Sequence, residues 1–364
     1  MELDWGRITW DWLTRAALPL WADQGIDPKG GFEELLGPDG KPVAAARRSR
    51  VQGRQSFVFA HAGRLGWNGP WADIAPVGLL YLDRHCRRDD GLYATLSAPD
   101  GAVIDNTAMT YDQAFVLLAA SELHRHDARA GWDGRALELL SRIEALRRHP
   151  GGGFVEADGR FLSNPHMHLF EACLAWIEAG GAPVWDDIAC EIVALGLDRF
   201  IVGDTLREVF DARWAPAPGD AGQVVEPGHQ FEWAWLLERW ARRTGEARAH
   251  DASLMLFAAG LRGIDPARGA AVDRTDPRMK PVRPTARLWP QTEWLKAACL
   301  LGDAGDIDTA AATLWRYLET PKDSMKPGLW RDKMREDGSF VDEPAPASSL
   351  YHIICAVASL KDLT

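Results

Sequence analysis

A glycine-flanked turn returns along this chain about every sixty residues, and each return is followed by a helical segment that opens on polar side chains. The turn reads Gly30-Gly31-Phe32 to Asp39-Gly40, Gly91-Leu92-Tyr93 to Asp100-Gly101, and Gly152-Gly153-Phe154 to Asp158-Gly159. It is looser at Glu208-Val209-Phe210 to Gly219-Asp220 and at Ala270-Ala271-Val272, and clear again at Gly328-Leu329-Trp330 to Asp337-Gly338. An end-to-end repeat of this size implies supersecondary units, none of which buries its apolar face alone.

Between the turns apolar residues recur at three and four positions, the helix period. The pattern predicts twelve helices, near 3–24, 53–66, 71–88, 109–127, 133–149, 166–180, 184–201, 228–244, 246–263, 290–303, 306–320 and 347–361. Short links such as Gly180-Gly181-Ala182-Pro183 alternate with the long Gly/Asp segments. Short links force antiparallel neighbours, so all long segments fall at one end of the assembly. Six helical hairpins can stack as an open superhelix or close into a ring. The first helix and the last, Ser348 to Leu360, are both amphipathic and lack a polar capping face, which favours closure. The expectation is an all-α fold, an (α/α)6 barrel formed as one domain over residues 1–364, with small β-hairpins rimming the mouth.

Composition narrows the partner. The formal charge is −11, from 41 basic and 52 acidic residues, which disfavours nucleic acid or an anionic membrane surface. No apolar run approaches the roughly 20 residues needed to cross a bilayer, and the acidic start lacks the form of a signal peptide, so a cytoplasmic protein is expected. Cys86, Cys173, Cys190, Cys299 and Cys355 are scattered through apolar helical stretches, and the expectation is reduced, buried thiols. Assembly into homo-oligomers is left open.

Arg54, His168, His229, Glu293 and His352 fall 15 to 24 residues past their repeat starts, at the openings of alternate helices. A lone helical histidine is more often structural; recurrence at one phase of successive repeats argues for a shared mouth. In Asn164-Pro165-His166-Met167-His168 the two rings diverge by about 200° on a helix, so only His168, on the face of Asn164, can point inward. Metal ligation by that pair is disfavoured, and no zinc, phosphate-loop or dinucleotide motif occurs. His229 and Glu232, at i and i+3, suggest a carboxylate tuning an imidazole. Trp289 and Glu293, at i and i+4, suggest an aromatic face beside an acid, a surface suited to a sugar. Arg274, Arg278, Lys280, Arg283 and Arg287 form a basic, Pro-rich stretch that reads as a solvated loop, or as an attractor for an anionic sugar.

Arg50-Val51-Gln52-Gly53-Arg54-Gln55, Asn164 to Ala172, Glu226 to Trp233, Arg287 to Glu293 and Pro346 to His352 together resemble the N-acylglucosamine 2-epimerase superfamily. The resemblance implies cofactor-independent sugar epimerases and aldose-ketose isomerases on an (α/α)6 barrel. It implies that His352 and His229 are paired acid/base groups and that Arg54, Asn164, His168, Glu232, Trp289 and Glu293 hold the sugar or tune the histidines. Tyr111 and Asp112 occupy the second repeat's equivalent position, in the pocket or just behind it. The disaccharide-acting branch tends to carry tryptophan five residues before the final histidine; Ala347 stands there, which points to a monosaccharide.

The expected activity is metal-independent mannose-to-fructose isomerisation, since an imidazole is a fitting base for the weakly acidic C2 proton of an open-chain aldose. C2 epimerisation is the alternative within the same chemistry. Two readings of other classes are an inverting glycoside hydrolase using Glu232 and Glu293 and a non-catalytic sugar-binding ring.

Overall fold

The computed structural model describes residues 3–319 and 325–363; the Met1-Glu2 start and the last residue of the helix expected to reach 320 lie outside them. The helical segments among these residues are α1 (5–24), α2 (Ser49–Arg64), α3 (71–85), α4 (Thr110–His126), α5 (Trp132–Arg147), α6 (Ser163–Glu178), α7 (184–200), α8 (Pro227–Thr244), α9 (Ala247–Arg262), α10 (Leu288–Leu301), α11 (Ala304–Leu318) and α12 (Ser348–Lys361). Two depart from the even pattern for an identifiable reason. Pro19 removes a backbone donor inside α1, and the helix answers with a π turn over Leu13–Ala17. Pro76 splits α3 into Trp71–Ile74 and Val77–His85. The last turn of α7 is also a π turn, over Gly196–Phe200; among the other ends, Asp303 and Asp306 form a capping box on α11, and Gly245, at φ 77°, closes α8 in a conformation costly for any residue with a Cβ.

The even-numbered helices form an inner ring, each packed on the next and α12 packed back on α2, with the odd-numbered helices outside. Burial follows from this. Residues 349 to 358 of α12 are all buried, whereas α5 buries only Ala136, Leu139, Leu140 and Ile143 along one stripe. The seam between first and last repeats is sealed three ways. Trp21 stacks on Trp330 at 5.0 Å, Trp5 Nε1 donates to Asp308 at 2.7 Å, and Leu35–Leu36 pair with Ala345–Pro346.

The rim differs from six separate hairpins. Its strands are two or three residues long, and several pair across neighbouring repeats: Arg47–Arg48 with Leu96–Ser97, Phe161–Leu162 with Val209–Phe210, Ala286–Arg287 with Lys333–Met334. Local hairpins survive in places, among them Arg274–Thr275 against Pro281–Arg283. Each rim segment is also tied to an inner helix. The Gln52 side chain bonds both N–H and C=O of Phe32, at 2.7 and 2.8 Å, and Gln113, Gln230 and Gln291 do the same for Tyr93, Leu206 and Ala271. His166 fills this slot in the third repeat, accepting from Phe154 N–H, so it is structural and only His168 turns inward.

The cysteine expectation needs correction: Cys86, Cys173 and Cys355 are buried, but Cys190 is exposed on outer helix α7 and Cys299 is partly exposed. No helix among the described residues is long and apolar enough to cross a membrane.

Candidate active site

The openings of the inner helices surround a cavity of about 470 Å3, and Arg54, Tyr111, Asn164, His168, His229, Glu232, Trp289 and His352 lie in its wall. Helix geometry accounts for the convergence: all long segments end at one mouth, and the first two turns of each inner helix look into it.

His229 and His352 both pack against Trp289, with ring centroids 4.9 and 5.9 Å from it. The two imidazoles therefore flank one indole, no farther apart than those spans together. Their surroundings drive them in opposite directions. Burial pulls the His229 pKa down, but Glu208, 2.9 Å from Nδ1, and Glu226, at 3.6 Å, outweigh it and push the ring to about 9. His352 is held well below the ordinary imidazole value by burial and by the positive charges of Arg54 and Lys296. Its Nδ1 lies 2.8 Å from Glu293 Oε1, and Glu293 accepts from Lys296 Nζ at 2.6 Å. In both rings Nδ1 is taken by a carboxylate, which leaves Nε2 for a ligand. At neutral pH the pair is one imidazolium and one neutral imidazole.

His168 sits against Phe115 and Tyr111, its Nδ1 3.3 Å from Glu171, and burial lowers it to about 4. Glu171 also accepts from the Tyr351 hydroxyl. Burial opposes its ionisation, yet His168 and Lys296 hold it down at about 2. Arg54 donates to Tyr111 Oη at 2.8 Å and lies 4.1 Å over the Phe115 ring, with its buried Nε–H unpartnered. Glu232 is buried with neither oxygen hydrogen-bonded; burial and the nearby Glu293 charge push its pKa well up, toward the neutral form that can donate.

Three expectations are corrected. Glu232 is not the carboxylate hydrogen-bonded to His229, and its influence on that ring ranks behind those of Glu208 and Glu226. Side chains lean toward a helix N-terminus, so His229 meets Glu226 at i−3 and Glu208 on the preceding segment, while Glu232 lies 3.8 Å from His168. Glu293 does not stand beside Trp289 in the wall; it is fully buried behind His352. Asp112, expected in the pocket or just behind it, takes the second of these places, fully buried 3.1 Å from Arg50. The hydrolase pair fails on distance as well: Glu232 and Glu293 each offer an oxygen within 4.8 Å of the other, too close for the roughly 6.5–9.5 Å that an inverting mechanism uses.

Two triplets, His168/Glu171/Glu232 and Glu232/Glu293/His352, are compact enough to hold a cation. The Lys296 ammonium, kept protonated by Glu293, Glu232 and Glu171, already puts a positive charge among these acids.

The N-acylglucosamine 2-epimerase (GlcNAc 2-epimerase) family profile matches residues 30–356. The chain belongs to that family. Among relatives of this epimerase-family protein, a mannose-6-phosphate isomerase of Rhizobium meliloti (strain 1021) is 48% identical, over 96% of this chain and 95% of its own length. A D-mannose isomerase of Marinomonas mediterranea is 26% identical over 93% of each chain. A crystal structure of D-mannose isomerase superposes with a TM-score of 0.86 at 22% identity, covering 95% of each, which supports the (α/α)6 barrel. The protein is therefore an enzyme of the isomerase or epimerase type.

Sequence reasoning missed Glu208, Lys296 and Glu171 in this epimerase-family site. For Glu208 a direct check exists. Removing its charge in Glu208→Gln is expected to lower the His229 pKa by roughly 1–3 units in an NMR titration. Because that pKa is raised on folding, the pair's stabilisation is complete below the ordinary imidazole value and fades as pH climbs toward about 9. An unmoved titration would mean that Glu226 alone charges the ring.

Proposed function

We propose that this protein is an aldose-ketose isomerase that moves the carbonyl of a mannose-type hexose from C1 to C2, D-mannose to D-fructose in its simplest form, without a metal. The observation that carries the reading is the pair of buried imidazoles, one charged and one neutral, held against a single tryptophan. The relatives' names describe the same carbonyl shift.

With the open-chain aldose against Trp289, neutral His352 takes the C2 proton on Nε2, and the electron pair of the C–H bond moves toward C1 as the carbonyl opens. The His229 imidazolium gives a proton to O1, so the intermediate is an enediol and not a free dianion. Arg54 and the protonated Glu232 supply further donors to oxygen charge that develops. His352 then returns its proton to C1, and His229, now neutral, takes the O2 proton as the ketone forms. Both rings end as they began. Glu293 with Lys296, and Glu208 with Glu226, keep each ring in its working tautomer and charge.

The same two rings favour C2 epimerisation as the second reading: a sugar placed between them loses a proton to His352 and regains one on the opposite face from His229. Proton NMR of D-mannose with the enzyme in deuterated water, with and without EDTA, separates the outcomes. Fructose formation that survives the chelator is expected. Glucose in its place would assign epimerisation; no loss of the C2 proton from any aldose tested would end both readings.

A further inference from the structure

We propose that the cavity takes a hexose bearing a phosphate at the end remote from C1, and that Arg274, Arg283 and Arg287 form the phosphate subsite. The proposal rests on the isomerase reading above for the position of C1 and C2.

Six arginines lie in the cavity wall, in a chain whose net charge is −11. Of the acids there, Glu226, Glu232 and Asp332, burial pushes both Glu232 and Asp332 toward the neutral form. The mouth is thus positive in a negative molecule, an arrangement that draws anions and gives a neutral sugar nothing.

The arginines sort into two groups. On the α2 side Arg48 is held by Glu34 through Nε and Nη2, at 2.8 and 2.6 Å, Arg50 by Asp112, and Arg54 by Tyr111 at 2.8 Å, although its Nε–H is free. The second group comes from one rim segment and is under-matched. Arg274 reaches Glu226 only at 3.4 Å and its buried Nε–H has no partner. Arg287 has Nε 3.2 Å from Asp273 but out of hydrogen-bonding alignment. The Arg283 side chain makes no hydrogen bond or ion pair among the described residues and is exposed.

The hairpin selects these cations. Arg274 and Arg283 are cross-strand partners and so share a face, and both line the cavity, as Arg287 does. Arg278 and Lys280, at the turn of the same hairpin, lie outside the wall. A merely solvated basic loop would show no such sorting. The cluster opens on the same mouth as the two imidazoles: Arg274 meets the glutamate that flanks His229, and the Arg287 guanidinium lies 5.4 Å from the Trp289 ring. Planar guanidinium forks match phosphate oxygens two at a time, and the unpartnered N–H groups are the donors such a ligand would fill.

The test compares D-mannose 6-phosphate with D-mannose, for the native enzyme and for Arg283→Gln, a surface change that leaves the fold alone. The expected result is a kcat/KM at least a hundredfold higher for the phosphorylated sugar. In Arg283→Gln that preference falls at least tenfold, with the loss in KM and not in kcat, while Arg283→Lys recovers part of it. Equal use of both sugars, or an equal fall for both in Arg283→Gln, would overturn the subsite. Turnover of mannose but not of its phosphate would remove the phosphate and leave the isomerase reading standing; no C2 proton loss with either sugar would remove the isomerase reading itself.

Discussion

His352→Asn is expected to fold like the native protein and to lose at least about a thousandfold in turnover, with loss of C2 proton exchange into deuterated water. Asparagine keeps an N–H near Glu293, which otherwise would retain Lys296 and a long bond from Thr292, so the buried carboxylates stay matched and only the proposed base is removed. The pH dependence belongs to the same experiment. The proposed mechanism needs neutral His352 and protonated His229. The native profile should therefore stay flat through neutrality, fall on the alkaline side near about 9, and fall on the acid side only well below the ordinary imidazole value. Exchange retained by His352→Asn at the native rate would remove His352 from the mechanism, whatever became of product formation.

The second large effect is on stability. Lys296 is completely buried, 2.6 Å from Glu293 and 4.1 Å over the Trp235 ring. Methionine preserves the stem and removes the charge, which leaves Glu293 and Glu171 as buried anions without their cation. Breaking a buried pair from one side costs roughly 3–5 kcal/mol. Urea unfolding of Lys296→Met at neutral pH should show a loss of that size. Glu293, which burial already raises, and Glu171, which loses the cation holding it down, would then both move upward, so the loss should shrink as pH falls and they take up protons. Adding Glu293→Gln should restore part of the stability by removing one orphaned charge. A single variant as stable as the native protein would mean that these glutamates are already neutral, and the account of His352's low pKa would fail with it.

The ring was legible because its cause is local: helix-period apolar stripes, short links and a fixed repeat leave few other ways to bury six hairpins. The cavity wall was legible for the same reason, since residues at one helical phase of one repeat must share a mouth. Glu208 was hidden by a frame error. Taking Val209-Phe210 as the fourth turn shifts that repeat by four residues, whereas Gln230 grips Leu206, making Leu206 the counterpart of Phe32. In the corrected frame an acid follows the gripped residue by two in most repeats: Glu34, Glu156, Glu208, Asp273 and Asp332. These acids hold inner-helix openings, as Glu156 does by accepting from the N–H groups of Thr110 and Tyr111. Glu171 and Lys296 each stand three residues past a site residue, His168 and Glu293, and form a charged layer one turn deeper. That layer was readable from periodicity had the turn below the mouth been followed. The cross-repeat strand pairs were not readable, because two-residue strands carry no alternation to set a register.

The joining of Trp21 to Trp330 and of Leu35–Leu36 to Ala345–Pro346 leaves no hairpin with a free flank. An open array frays from its ends, where a unit has one neighbour; here every unit has two, and releasing any one exposes the apolar sides of both. The molecule accordingly has no weakest terminus, and the six units stand or melt together.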